Sequence, residues 1–266
     1  MNLASLDGVI GPSDKTLIPV TDDGLLRGDG VFEVSRLYQG VPFAHDEHIV
    51  RLRLSADNLR LPADYDALEA ETEALLKAAG PVDGQIRVVL TRGGRRILTI
   101  EPLPPQPAAA RVATVTYVPT LLLNSVKSLS YAANMLAGRL AKERGFDEGL
   151  FVTPEGRVLE GATWTFFWVS GGQLMTPPLS DNILDSITRR LIIESSGVEE
   201  RSCTREDLAR AEEAFIASSA REVQPISVID DHELPSAPGP VSKAAHASLL
   251  ERIEREVSAA AAPAAS

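Results

Sequence analysis

The chain has one cysteine, Cys203, among 266 residues. A single thiol excludes an internal disulfide framework and a cysteine-built metal site. Histidine is also sparse, and His45, His48, His232 and His246 show no HxxxH or HExxH spacing, which speaks against a zinc hydrolase. No run approaches the roughly 18 apolar residues that span a bilayer, so no membrane partner is expected. The N-terminus, MNLASLDGVIG, carries an Asp and lacks a basic stretch followed by an apolar core, so a cytoplasmic, reduced location is the expectation. Positive charge is in deficit: 26 Lys+Arg face 37 Asp+Glu, a formal net charge of −11. That deficit excludes a general nucleic-acid binder, which needs a basic footprint to displace counterions from phosphates. It leaves room for a local basic pocket that takes a small anion.

What is present reads as a globular chain. With 44% hydrophobic and 24% charged residues, 266 positions allow one large domain or two small ones. LASLDGVIG and VFEVSRLYQGVPFA have strand character, and Tyr38-Gln39-Gly40-Val41 suits a hairpin turn. Asp46 suits the N-cap of a helix through EHIVRLRLSADNLRL, where Ile49, Leu52, Ala56 and Leu59 repeat on one face. DALEAETEALLKAAG forms a second helix closed by Gly80. QIRVVLTRGGRR and RVATVTYV return to strand, separated by EPLPPQPAAA, whose four prolines in seven residues make a stiff surface loop. Beyond Leu121 comes a helix, AANMLAGRLAKERG, and then strands from GLFVTPEGRVLEG through TWTFFWVSGGQLMTPP. Pro154-Glu155-Gly156 and Ser170-Gly171-Gly172 are the turns between them. SITRRLIIESSG is a short helix ended by Gly197, and VSKAAHASLLERIEREVS is a terminal helix before an Ala/Pro tail expected to fray. No internal repeat is visible. The expected fold class is α+β in two domains, residues 1–117 and 125–266, joined by a loop over 118–124.

Five stretches in this order carry a resemblance: LLRGDGVFEVSRLYQG, HIVRLRLSADNLRL, KSLSYAANMLAGRLAKERGFDEGLFVTPEGRVLEG, LMTPPLSDNILDSITRRLIIE and AFIASSAREVQPISVID. Together they resemble the fold-type IV (class IV) pyridoxal 5'-phosphate (PLP) enzymes. That family holds branched-chain and D-amino acid aminotransferases, aminodeoxychorismate lyases and (R)-selective amine transaminases. The resemblance implies a small N-terminal α/β domain, a larger C-terminal domain with a barrel-like sheet, and a homodimer.

It also implies roles. Lys127 in SVKSLSY takes the position of the lysine that holds the cofactor as a Schiff base and shuttles a proton. Read in isolation, it is one of several surface lysines. Glu160 in GRVLEG takes the position of the carboxylate that keeps the pyridine nitrogen protonated; alone it is a solvated acid at a strand end. Arg51 matches the phosphate-binding arginine, whose fork geometry suits an anion. Ile187 and Thr188 open a helix whose free N–H groups and positive dipole end favour the same phosphate. Ser219 matches a hydroxyl offered to the phosphate, Ala220 lies beside it at the substrate, and Tyr131 resembles the partner of the ring hydroxyl. No metal is implied.

The substrate side is read from the same resemblance. Phe32 and Val34 follow the GDG run, where relatives line the substrate pocket. Lyases of the aminodeoxychorismate type carry a threonine where Val34 stands; D-amino acid enzymes carry an aromatic-x-Val pattern. Arg27 and the turn arginines Arg92, Arg95 and Arg96 are the candidate carboxylate partners, which in an acidic chain would focus a field for a dianion. The expected reaction is transamination between a D-amino acid and a 2-oxo acid such as 2-oxoglutarate or pyruvate. Aminodeoxychorismate lyase is the alternative, then branched-chain or (R)-amine transamination. Trp164 stands where (R)-amine transaminases have an aromatic, although its neighbours Phe166, Phe167 and Trp168 favour a core position. Arg27-Gly28-Asp29 spells an adhesion tripeptide by chance, and LTRGGRR lacks the GxGxxG of a dinucleotide site.

Overall fold

The structure, a computed structural model, describes residues 2–261. From residue 262 onward the Ala/Pro tail lies outside the described residues. The chain divides into two compact units: Met1–Pro104 with Val126–Tyr131 and Ile253–Ser266, and Pro105–Ser125 with Ala132–Arg252.

The first unit is built on a six-stranded sheet formed by β1 (Leu3–Leu6), β2 (Val9–Pro12), β3 (Gly30–Tyr38), β4 (Val41–Pro42), β5 (Gly84–Thr91) and β6 (Arg96–Glu101), in the order β2-β1-β6-β5-β3-β4. The β3–β4 hairpin turns on Gln39 and Gly40 with φ of 51° and 86°, the two positive values that a two-residue turn of this hand requires. A side chain at position 40 would also stand 2.8 Å from the Gly80 carbonyl oxygen. Strand alternation sets two faces. Val31, Glu33, Ser35 and Leu37 point inward with Ile86, Val88 and Leu90, while Phe32 and Val34 stand on the other face beside Val89 and Arg87. Helices α1 (Asp23–Arg27), α2 (His45–Asn58) and α3 (Tyr65–Ala79) complete the unit, and Leu52, Ala56, Leu68 and Leu75 close its core over the inward residues.

Asp46 does not cap α2. The cap position falls on Ala44, at φ 53°, whose N–H donates to Glu256 Oε1 at 2.6 Å. A partner more than two hundred residues away thus sets the start of the helix, and Asp46 and Glu47 occupy its first turn, where the dipole favours acids.

The second unit follows as β7 (Ala110–Thr116), α4 (Ala132–Glu143), β8 (Glu148–Val152), β9 (Arg157–Gly161), β10 (Thr165–Ser170), β11 (Gln173–Thr176), α5 (Ile187–Ser196), β12 (Glu199–Glu200), β13 (Cys203–Thr204), α6 (Arg205–Leu208), β14 (Glu213–Ser218), β15 (Glu222–Ile229), β16 (His232–Glu233) and the start of α7 (Pro240–Ala261), whose residues from Ile253 onward belong to the first unit. Its strands form a ten-stranded sheet in the order β12-β11-β10-β14-β15-β7-β8-β9-β13, with β16 on β15, curled into a half-barrel. The core is aromatic: Phe166 stacks on Trp168 and Phe167 on Phe215, all fully buried. Glu213, buried at the start of β14, accepts from the N–H groups of Val241 and Ser242 and from Ser242 Oγ, capping the first turn of α7.

Candidate active site

In the first unit, the stretch 126–131 pairs along the edge of β3. Phe32 N–H donates to the Lys127 carbonyl at 3.0 Å and Leu129 N–H to the Gly30 carbonyl at 2.9 Å, with a bridge between Val31 and Ser128. Lys127 N–H donates to Ser55 Oγ of α2 at 3.1 Å. The backbone of Lys127 is thereby held between a strand and a helix. Its amine stands 4.4 Å from the centre of the Phe32 ring and 5.8 Å from that of Tyr131. Tyr131 meets Phe32 edge to face at 5.2 Å, so the two rings brace each other beside the amine.

Beneath this strand, α2 places His48, Arg51 and Ser55 on one face by their three- and four-residue spacing. Arg51 donates from Nε to Glu33 Oε1 at 2.6 Å and from Nη2 to Glu33 Oε2 at 2.7 Å. His48 Nδ1 meets Glu33 Oε2 at 2.8 Å. Burial acts to raise the Glu33 pKa, but the Arg51 charge and the hydrogen bonds of Arg51 and His48 outweigh it and hold the pKa at about 2. Burial pushes His48 the other way, below its ordinary value, and the charges of Arg51 and Lys127 add to that. Sequence reasoning missed Glu33, His48 and Ser55. The only signal for Glu33 was an acid at an inward position of a buried strand.

In the second unit, Glu160 near the end of β9 accepts the Leu184 N–H at 3.0 Å on Oε1. Leu184 lies three residues ahead of Ile187, the first residue of α5, so the carboxylate sits close to that helix start. Ile187 and Thr188 are buried there, and Ser186 caps the helix by accepting the Arg189 N–H. Burial, then the Glu160 charge, pushes the Tyr117 phenol up; its ring stacks on Phe151 at 4.2 Å. Ser219 and Ala220 are half-buried in the turn between β14 and β15. Trp164 is buried, packs against Gly161 and donates from Nε1 to Glu148 Oε2 at 3.2 Å, while Arg221 pairs with the other oxygen of Glu148.

The arginines read as carboxylate partners are engaged by acids of the first unit. Arg92 binds both oxygens of Asp29 at 3.0 and 3.2 Å and donates to the carbonyls of Leu59 and Arg60. Arg95 pairs with Asp7 at 2.7 Å and Arg96 with Glu71 at 2.7 Å. Arg27 is exposed on α1 and pairs with Asp23. Arg87 does share the face of Phe32 and Val34, as Arg36 does on β3 itself: Arg87 registers opposite Val34, lies 5.8 Å from the Phe32 ring centre, and pairs with Glu101 at 3.0 Å. Its phase in the alternation of QIRVVL was the available signal.

A family model described as amino-transferase class IV matches residues 30–229. A putative branched-chain-amino-acid aminotransferase of Methanocaldococcus jannaschii is 34% identical, over 85% of this chain and 87% of its own length. D-alanine aminotransferase of Bacillus licheniformis is 30% identical, over 94% and 96%. Aminodeoxychorismate lyase of Bacillus subtilis is 32% identical, over 87% of each. Among solved structures, a branched-chain aminotransferase from Thermoproteus uzoniensis superposes with a TM-score of 0.84 at 31% identity, covering 96% of this chain and 97% of that one.

Proposed function

This chain belongs to the class IV aminotransferases, and on that premise we propose that it moves an amino group from a D-amino acid to a 2-oxo acid such as 2-oxoglutarate or pyruvate. The family's cofactor is PLP, which when bound supplies an aldehyde to carry the amino group and a ring to absorb the electrons of the breaking Cα–H bond.

The side chains suit that group. Lys127 would hold it covalently and, once released by substrate, move the proton between the substrate carbon and the cofactor. Glu160, an anion whose Oε1 is fixed by a backbone N–H, would face the ring nitrogen and keep it protonated. The start of α5 at Ile187 and Thr188, Arg51, and the hydroxyl of Ser219 would take the phosphate, and Tyr131 the ring hydroxyl. Phe32 and Val34 would line the substrate side, with Ala220 on the β14–β15 turn.

The observation that carries the reading is the clamped backbone of Lys127, with its amine over the Phe32 ring. The Phe32-x-Val34 pattern supports a D-amino acid, and Val34 in place of threonine speaks against a lyase. A branched-chain reading is favoured by a separate observation: the arginines of the 92–96 turn are already matched by Asp29, Asp7 and Glu71, so they add no unpaired field for a dianion. The test is the absorption band of the loaded enzyme on addition of D-alanine, D-glutamate and the L forms. Loss of the band with D forms and stoichiometric release of 2-oxo acid supports the proposal. A response to L-leucine alone would replace it with the branched-chain reading.

A homodimer belongs to the same proposal. In the first unit Leu25 and Leu26 of α1 are exposed, and in the second so are Leu121, Leu122 and, on α4, Met135, Leu136 and Leu140. Apolar side chains left in water in such number favour a second copy as cover. Sedimentation of the active enzyme as a monomer would contradict it.

A further inference from the structure

We propose that Glu33 and His48 form a positioning pair for Arg51, fixing the guanidinium in the orientation from which it receives the cofactor's phosphate. The inference rests on the reading of Arg51 as a phosphate partner given above, and adds two residues that do not themselves touch the cofactor.

Three observations carry it. First, the pairing is bidentate. Nε and Nη2 of Arg51 engage both oxygens of Glu33, and that fork-to-fork match fixes the plane of the guanidinium as well as its distance. Second, the pair is removed from water, with side-chain exposures of 11% for Arg51 and 2% for Glu33. A buried ion pair is a poor device for stability, since apolar residues of similar volume do as well or better, so its presence on a buried strand face points to a demand for orientation. Third, His48 lies on the same helix three residues before Arg51, is itself 2% exposed, and takes a further lone pair of Glu33 Oε2 at 2.8 Å. Glu33 is therefore held by the helix at two points and cannot swing away with Arg51.

The gain is pre-organisation. An arginine left to its rotamers loses side-chain entropy when a ligand orders it. Pairing with Glu33 meets that cost during folding, so the phosphate meets donors already in place.

The test separates the phosphate's share of binding from the rest. Full-length protein is stripped of cofactor and titrated with pyridoxal 5'-phosphate and, separately, with pyridoxal, which lacks the phosphate. Glu33→Gln should lower the ratio of the two affinities on the order of tenfold. It should add nothing to the loss in Arg51→Ala when the two are combined. A role in the fold alone would weaken both ligands alike and leave the ratio intact. An unchanged ratio in Glu33→Gln, while Arg51→Ala collapses it, overturns the positioning pair and leaves Arg51's own role standing. An unchanged ratio in Arg51→Ala overturns the reading of Arg51 and the pair with it. If Glu33→Gln does not fold, His48→Leu carries the comparison: a fall of about threefold or more is expected from loss of one hydrogen bond, and an unchanged ratio overturns the proposal.

Discussion

The Lys127 amine stands 4.4 Å from the centre of the Phe32 ring, on a strand whose backbone N–H at Phe32 binds the Lys127 carbonyl. One residue thus touches both ends of the lysine. Phe32→Leu keeps the backbone bond and removes the ring against which the amine and Tyr131 are placed. Because a small misplacement of a reacting group is costly, turnover should fall about tenfold or more. The melting temperature should move little beside that loss. Oxo-acid release and thermal unfolding, measured side by side, check both halves.

Acid should unfold the protein in two stages. His45 and His48 are held below their ordinary 6.5 by burial, so the unfolded chain takes up their protons first. The stability they lend is present above pH 6.5 and is lost as pH falls below it. Glu33 is held at about 2 against an ordinary 4.5 by Arg51 and His48, so the stability linked to its ionisation is present above 4.5 and is lost between there and 2. Denaturant titrations from pH 7.5 to 3 should show both limbs. His48→Gln should flatten the upper one.

Arg92 is a latch on Asp29, so Arg92→Ala should not behave as the loss of a substrate cation. A carboxylate trap would raise KM for the 2-oxo acid with kcat unchanged. The expected result is an acceptor KM within about threefold of the parent and a loss of stability of about 1–3 kcal/mol, since Asp29 and two carbonyls lose their donors. Steady-state kinetics with 2-oxoglutarate and with pyruvate distinguish the two.

Gly161 admits no side chain, because a Cβ there would stand 1.9 Å from the Trp164 ring. Gly161→Ala should cost about 3 kcal/mol or more by overpacking. Combining it with Trp164→Ala should recover part of that loss, because the ring in the way is then gone. Denaturant midpoints of the two single variants and the double variant test the contact.

Glu213 accepts three hydrogen bonds at the start of α7 while buried. Glu213→Ala leaves those donors without the acceptor and should cost about 2–4 kcal/mol. Glu213→Gln, which keeps one acceptor oxygen, should cost about half as much. Chemical denaturation measures both.

Local signals were legible and distant ones were not. Gln39-Gly40 marked its hairpin, because a turn's geometry is set by the residues in it. Gly80 and Gly197 marked the ends of α3 and α5 for the same reason. The acid partners of the arginine turn were hidden because nothing near it in sequence shows that Asp7, Asp29 and Glu71 reach it from as many as 88 residues away. Asp46 misled in the same way, since Glu256 decides where α2 begins. Glu33 was passed over because its meaning depends on strand phase: at an outward position it is solvated, and one place along it is a buried anion that must find a cation.

The most direct measurement is borohydride reduction of the cofactor-loaded, full-length protein, followed by peptide mass mapping. The expected result is a pyridoxyl group on Lys127 and no labelling when Lys127→Ala is treated in the same way. A label on another lysine of the parent protein, or none at all, would contradict it.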